Sequence, residues 1–100
     1  MAVALVLRWE GVTPEQYDAL LEKVDWEGRP ARDGIFHVVW FDATGMGIVD
    51  VWESEQAWSD FMAERLGPAI AELGGVEGEP DVAFHDVHRY FNTQAAAGVA

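Results

Sequence analysis

His37 and Asp50 are the residues whose types and placement most invite chemistry. They interrupt two apolar runs in the stretch GIFHVVWFDATGMGIVDVWES, Gly34 to Ser54. Pairing those runs as a hairpin, with Phe41 opposite Met46, sets His37 directly opposite Asp50. A carboxylate beside an imidazole steadies its charged form and fixes its tautomer, an arrangement suited to general acid–base work near neutral pH. The same pair also reads as a cross-strand hydrogen bond with a purely structural role. Arg8 offers a cation for an anionic or enolate oxygen, or for an ion pair between subunits, for example with Asp86. His88, with Tyr90 two residues on, is a second candidate acid–base group, or a histidine satisfied structurally. Trp52, Phe41, Phe84 and Tyr90 are candidate walls for a flat ligand, or part of a subunit interface.

Other chemistries lack their motifs. His85 and His88 are three apart, a spacing that puts them on opposite faces of a strand. Neither HxH nor HExxH occurs, so no metal site is expected. There is no Gly-rich phosphate loop after a strand and no serine elbow, and no cofactor is expected.

The elements that must position these groups follow from the pattern. Val3 to Trp9 is short, apolar and rich in Val and Leu, a first strand. Thr13-Pro14-Glu15-Gln16 is a capping-box signal, and Tyr17, Leu20, Leu21 and Val24 then form one apolar stripe of a helix. The polar segment Asp25 to Asp33 is a loop. Ile35 to Phe41 and Met46 to Trp52 are the hairpin strands. Ser54 caps a second helix whose stripe includes Trp58, Phe61 and Met62, with a kink or break expected at Gly67-Pro68 and an end at Gly74-Gly75. A fourth strand is expected from Val82 to Phe91. Residues 1–92 form one domain, and 93–100 read as a mobile tail.

The order β-α-β-β-α-β is that of an α+β, ferredoxin-like domain: a four-stranded antiparallel sheet with both helices on one face. The hairpin register divides its residues between two faces. Phe36, Val38, Val49 and Val51 are purely apolar and are assigned to the helices. Ile35, His37, Val39, Phe41, Ile48, Asp50 and Trp52 are assigned to the opposite face. On strand one, Val3, Leu5 and Leu7 go to the helices, and Ala4, Val6 and Arg8 to the side of His37. On strand four, Phe84, Asp86, His88 and Tyr90 are placed with His37 as well. A face so apolar calls for a cover, and a homodimer joined through the sheet face supplies one.

Composition narrows the partners. The charge is 6 − 18 = −12, which disfavours nucleic acid and anionic lipid. No segment approaches the roughly 18 apolar residues of a spanning helix, so no membrane is expected. The absence of cysteine and the short apolar run at the start fit a cytoplasmic protein.

The element order, the apolar aromatic sheet face and the junction IVDVWESEQAWSDFMAERLGPAIAELG together resemble dimeric α/β-barrel proteins, nearest to the antibiotic-biosynthesis-monooxygenase-like (ABM-like) branch. The resemblance spans Val3 to Phe91. It implies a dimer and a small-molecule pocket. Trp52 matches a pocket-lining Trp at the end of the third strand in several such enzymes. Haem-degrading members use an Asn early in strand one and a His in helix two; this chain has neither, which disfavours that activity. Two functions follow. One is a cofactor-independent monooxygenase or isomerase/cyclase that acts on an aromatic or polyketide-like molecule by acid–base chemistry. The other is a non-catalytic small-ligand-binding or structural barrel protein.

Overall fold

A computed structural model of the chain describes residues 1–26 and 28–91. Strand β1 (Val3–Trp9) is followed by a turn at Glu10 and Gly11 that leads to helix α1 (Pro14–Val24). The capping box forms as the sequence predicts: the Gln16 amide donates to Thr13 Oγ1 at 3.1 Å, and the Thr13 amide donates to Gln16 Oε1 at 3.0 Å. Strands β2 (Gly34–Asp42) and β3 (Gly45–Trp52) make the hairpin. Gly45 closes it at φ +116°, where L side chains are strained, and a Cβ there would lie 2.5 Å from Glu10 Cα.

The second helical rod begins at Ser54, whose hydroxyl accepts from the Ala57 amide, and has three segments. Helix α2 (Glu55–Phe61) widens into a π turn (Met62–Leu66) and continues as α3 (Gly67–Glu72). Pro68 has no N–H for the carbonyl four residues back, and its ring crowds that carbonyl. The Gly67 amide bonds to Met62 O instead, so the rod continues through a wider turn where a kink or break is predicted. From this turn Arg65 donates to Val24 O at 2.6 Å and ties the rod to the end of α1. Strand β4 (Asp81–Asp86) is shorter than the predicted Val82 to Phe91. The expected tail, 93–100, lies outside the described residues.

The sheet order β2-β3-β1-β4, all antiparallel, is the ferredoxin-like arrangement. The predicted hairpin register holds at Phe41–Met46, Val38–Val49, His37–Asp50 and Phe36–Val51. It shifts at Ile35, so that Gly34 rather than Ile35 lies opposite Trp52.

The two faces are the reverse of those expected for the hairpin. Met46, Ile48, Asp50 and Trp52 are buried beneath the helices, with His37, Val39 and Phe41 beside them. Phe36 and Val38, assigned to the helices from sequence, are 48% and 42% exposed on the bare face. Strand β1 shows why. Leu5, fully buried, lies directly opposite Asp50, and directly opposed residues share a face. Leu5 and Asp50 therefore cannot be separated as the sequence reading had it. The buried Asp50 carboxylate is accommodated there because both of its oxygens have donors.

Candidate functional site

His37 and Asp50 meet across β2 and β3, with Nδ1 and Oδ1 2.6 Å apart. Helix α1 adds a third member. Its cap fixes the first turn, in which the Tyr17 amide donates to Thr13 O at 2.9 Å, and this brings the Tyr17 hydroxyl to 2.7 Å from His37 Nε2. Trp52, two residues beyond Asp50 on the same face, donates its indole N–H to Asp50 Oδ2 at 3.1 Å. The result is a continuous chain: Tyr17, His37, Asp50, Trp52.

Its proton arrangement follows from what each group can donate. Burial, then the Asp50 and Asp18 carboxylates, push the Tyr17 hydroxyl up to about 12. It keeps its proton at neutral pH and donates to His37 Nε2. With Nε2 accepting from Tyr17, Nδ1 is the ring nitrogen that donates, and it donates to Asp50 Oδ1, leaving Oδ2 for the Trp52 N–H. Among the described residues no buried side-chain polar atom lacks a partner.

Aromatic rings hold the chain in place. Tyr17 lies nearly parallel to the His37 ring at 6.0 Å, and Phe41 meets Tyr17 edge-on at 6.1 Å. Trp26 tilts against His37 at 5.3 Å and meets Phe61 at 5.5 Å. Tyr17, His37, Trp26 and Phe61, with Asp50 and Trp52, face a cavity of about 90 Å³ between sheet and helices, otherwise lined by aliphatic and methionine side chains and further indole rings, while Phe41 lies behind Tyr17 and outside the lining.

The remaining sequence candidates divide. Trp52 is buried as a hydrogen-bond donor to Asp50, and Phe41 packs on Tyr17. Phe84 lies on the helix side, packed against Trp58 at 5.6 Å, but does not line the cavity. Arg8 is on the opposite face of the sheet from His37, because it extends β1 one position beyond inward-facing Leu7. There its guanidinium forks onto Asp42 at 3.0 and 3.2 Å and also meets the Thr44 hydroxyl, so its ion-pair partner is Asp42 rather than Asp86. His88 and Tyr90 follow the end of β4 and are exposed, away from the cavity. Among the described residues no three His, Asp or Glu side chains gather as cation ligands.

Sequence reasoning missed Tyr17 and Trp26. Tyr17 reads as a member of an apolar stripe, yet a buried phenol needs a partner for its hydroxyl, and that was the available signal. Trp26 sits in a polar loop whose path the sequence does not reveal.

No family model matches the chain, and no curated protein matches it. Solved structures do. Rv0793 from Mycobacterium tuberculosis superposes with a TM-score of 0.66 at 14% identity, covering 92% of this chain and 100% of that one. A variant of SnoaB, a cofactor-independent oxygenase from Streptomyces nogalater, gives 0.60 at 12% identity, covering 89% and 95%. An antibiotic biosynthesis monooxygenase gives 0.58 at 13% identity, covering 89% and 100%. The chain has the ABM-like fold.

Proposed function

We propose that this protein is a small-molecule enzyme of the ABM-like type, working by acid–base chemistry on an aromatic or polyketide-like substrate without a cofactor. The observation that carries this reading is the chain from Tyr17 through His37 to Asp50 at the wall of an apolar cavity. A substrate hydroxyl bonded to Tyr17 passes its proton to the Tyr17 oxygen as Tyr17 passes its own to His37 Nε2. Asp50 is the positioning residue: it holds Nδ1–H in place and balances the imidazolium that forms. The resulting substrate anion is electron-rich, and either rearranges or reacts with molecular oxygen. SnoaB, a cofactor-independent oxygenase of the same fold, supports the second course. In this reading two copies join through the bare sheet face, where Val6, Phe36, Val38 and Trp40 are exposed.

The test is turnover of a panel of hydroxylated aromatics, from one ring to three, followed by oxygen uptake and product mass. His37→Ala lowers the rate about 100-fold or more, the usual scale of a lost acid–base group. A rate retained within a few-fold overturns the reading. The full pairing of the buried polar atoms favours a second one, a non-catalytic ligand-binding or structural protein whose polar chain only braces the sheet.

A further inference from the structure

We infer that the cavity takes an uncharged molecule of one ring or smaller that carries an acidic hydroxyl, a phenol or an enol, set against the Tyr17 oxygen. The inference rests on the acid–base reading of the same site and narrows its substrate class.

Size is the first argument. The cavity measures about 90 Å³. An apolar protein cavity of about 150 Å³ holds benzene. One ring therefore requires a modest widening, which Met62 at the wall can supply because its side chain is unbranched and flexible. Three fused rings require the sheet and helices to part.

Charge is the second. Among the described residues no Lys or Arg lines the cavity, while Asp50 brings a carboxylate to its wall. Arg8 is committed to Asp42 on the far face of the sheet. Arg65 stacks on the Phe61 ring at 5.3 Å and donates to the Val24 and Arg29 carbonyls rather than lining the cavity, so an anionic ligand would lose its hydration and meet a like charge at the wall.

Hydrogen bonding is the third. The Tyr17 hydroxyl spends its one donor on His37 Nε2 but retains acceptor capacity. Both Asp50 oxygens are already accepting. The complementary ligand group is thus a donor, and a hydroxyl donates to Tyr17 along the line on which its proton later leaves. In that step the ligand O–H bond breaks, a new O–H bond forms on Tyr17, and the Tyr17 proton moves to His37. The ligand becomes an oxyanion and no electrons change hands.

The experiment is calorimetric titration of the unaltered protein and Tyr17→Phe with phenol, benzene, benzoate and 1-hydroxyanthracene. Phenol is expected to bind saturably and about 3- to 10-fold more tightly than benzene, the worth of one hydrogen bond. Tyr17→Phe should bring phenol to the level of benzene and leave benzene unchanged. Benzoate and 1-hydroxyanthracene should show no saturable binding. The inference fails if 1-hydroxyanthracene binds as tightly as phenol, if benzoate binds saturably, or if neither phenol nor benzene binds. It also fails if Tyr17→Phe leaves phenol affinity intact. Should that variant not fold, the phenol-over-benzene preference of the unaltered protein decides. These readouts need no turnover. An active His37→Ala would sink the acid–base reading while leaving the affinities standing, whereas turnover of a three-ring substrate would do the reverse.

Discussion

His37 Nδ1 lies 2.6 Å from Asp50 Oδ1 on the helix-covered face of the sheet, not on the face left bare. That placement changes what the pair means. On a bare face it would belong to whatever covers the sheet. Under α1 it belongs to the chain's own core, where a third residue, Tyr17, completes it.

Asp50 is 5% exposed and accepts from both His37 and Trp52. Asp50→Ala leaves two buried N–H groups without an acceptor, at about 1–3 kcal/mol for each group that water does not reach. A loss of about 2–4 kcal/mol in urea unfolding is expected. Asp50→Asn should recover much of it, since the amide oxygen can accept from the Trp52 N–H while its NH₂ donates to His37 Nδ1, the imidazole proton moving to Nε2 and facing the Tyr17 oxygen. A loss under about 0.5 kcal/mol in Asp50→Ala would show that both donors find other partners.

Element order, the capping box at Thr13 and the cross-strand partner of His37 were all legible in the sequence, because each depends on local pattern. The faces were not. Two apolar sets competed for the helices, and the choice between them is made by bulk and by long-range register. Trp52, Met46 and Ile48 fill the inner layer, and Leu5 sits opposite Asp50 across β1. No local pattern carries that information. Tyr17 was hidden for a related reason: the hydroxyl that matters is supplied from a different element, and only the packed structure brings it to Nε2.

Tyr17 also couples stability to alkaline pH. Its ionisation is raised from the usual 10 to about 12 by burial and the carboxylates of Asp50 and Asp18. Between those values the unfolded chain releases the proton that the folded chain retains, so stability falls as pH rises through the window. The contribution is whole below pH about 10 and gone above about 12. Tyr17→Phe removes this component. Urea midpoints measured from pH 9 upward should therefore fall more steeply for the unaltered protein than for the variant. Parallel slopes would mean that Tyr17 ionises alike in both states.

Gly47 lies beneath two side chains of the bare face. A Cβ there would come 2.4 Å from Trp40 Cε2 and Cζ2 and 2.8 Å from an Arg8 guanidinium nitrogen. The indole thus sits over Gly47 of β3, donating to Asp42 at 3.3 Å while Arg8 forks onto the same carboxylate. Gly47→Val should lift Trp40, shift its fluorescence and detach Arg8 from Asp42. The cavity lies on the other face, so phenol affinity should move less than about twofold, within the scatter of a remote substitution. An unchanged emission spectrum would mean that Trp40 does not rest on Gly47.

The bare face itself gives the last prediction. Val6, Phe36, Val38 and Trp40 are 38%, 48%, 42% and 39% exposed, and Val49 and Val51 lie between them. Their strands are adjacent, so these side chains form one patch rather than scattered points. The net charge of −12 would repel a second copy at most orientations. Here Asp42, which accepts from the Trp40 indole of the patch, is already paired with Arg8, whose N–H groups hold its ionisation well below the usual carboxylate range. Face-to-face pairing brings apolar strand against apolar strand and needs about 800 Å² from each copy to be stable. Val38→Glu with Trp40→Glu would place four carboxylates in such an interface. Sedimentation or light scattering at micromolar concentration should give a dimer for the unaltered protein and a folded monomer for the double variant, with far-UV circular dichroism unchanged. A monomeric unaltered protein would leave the patch to a different partner, and a dimeric double variant would move the interface elsewhere on the molecule.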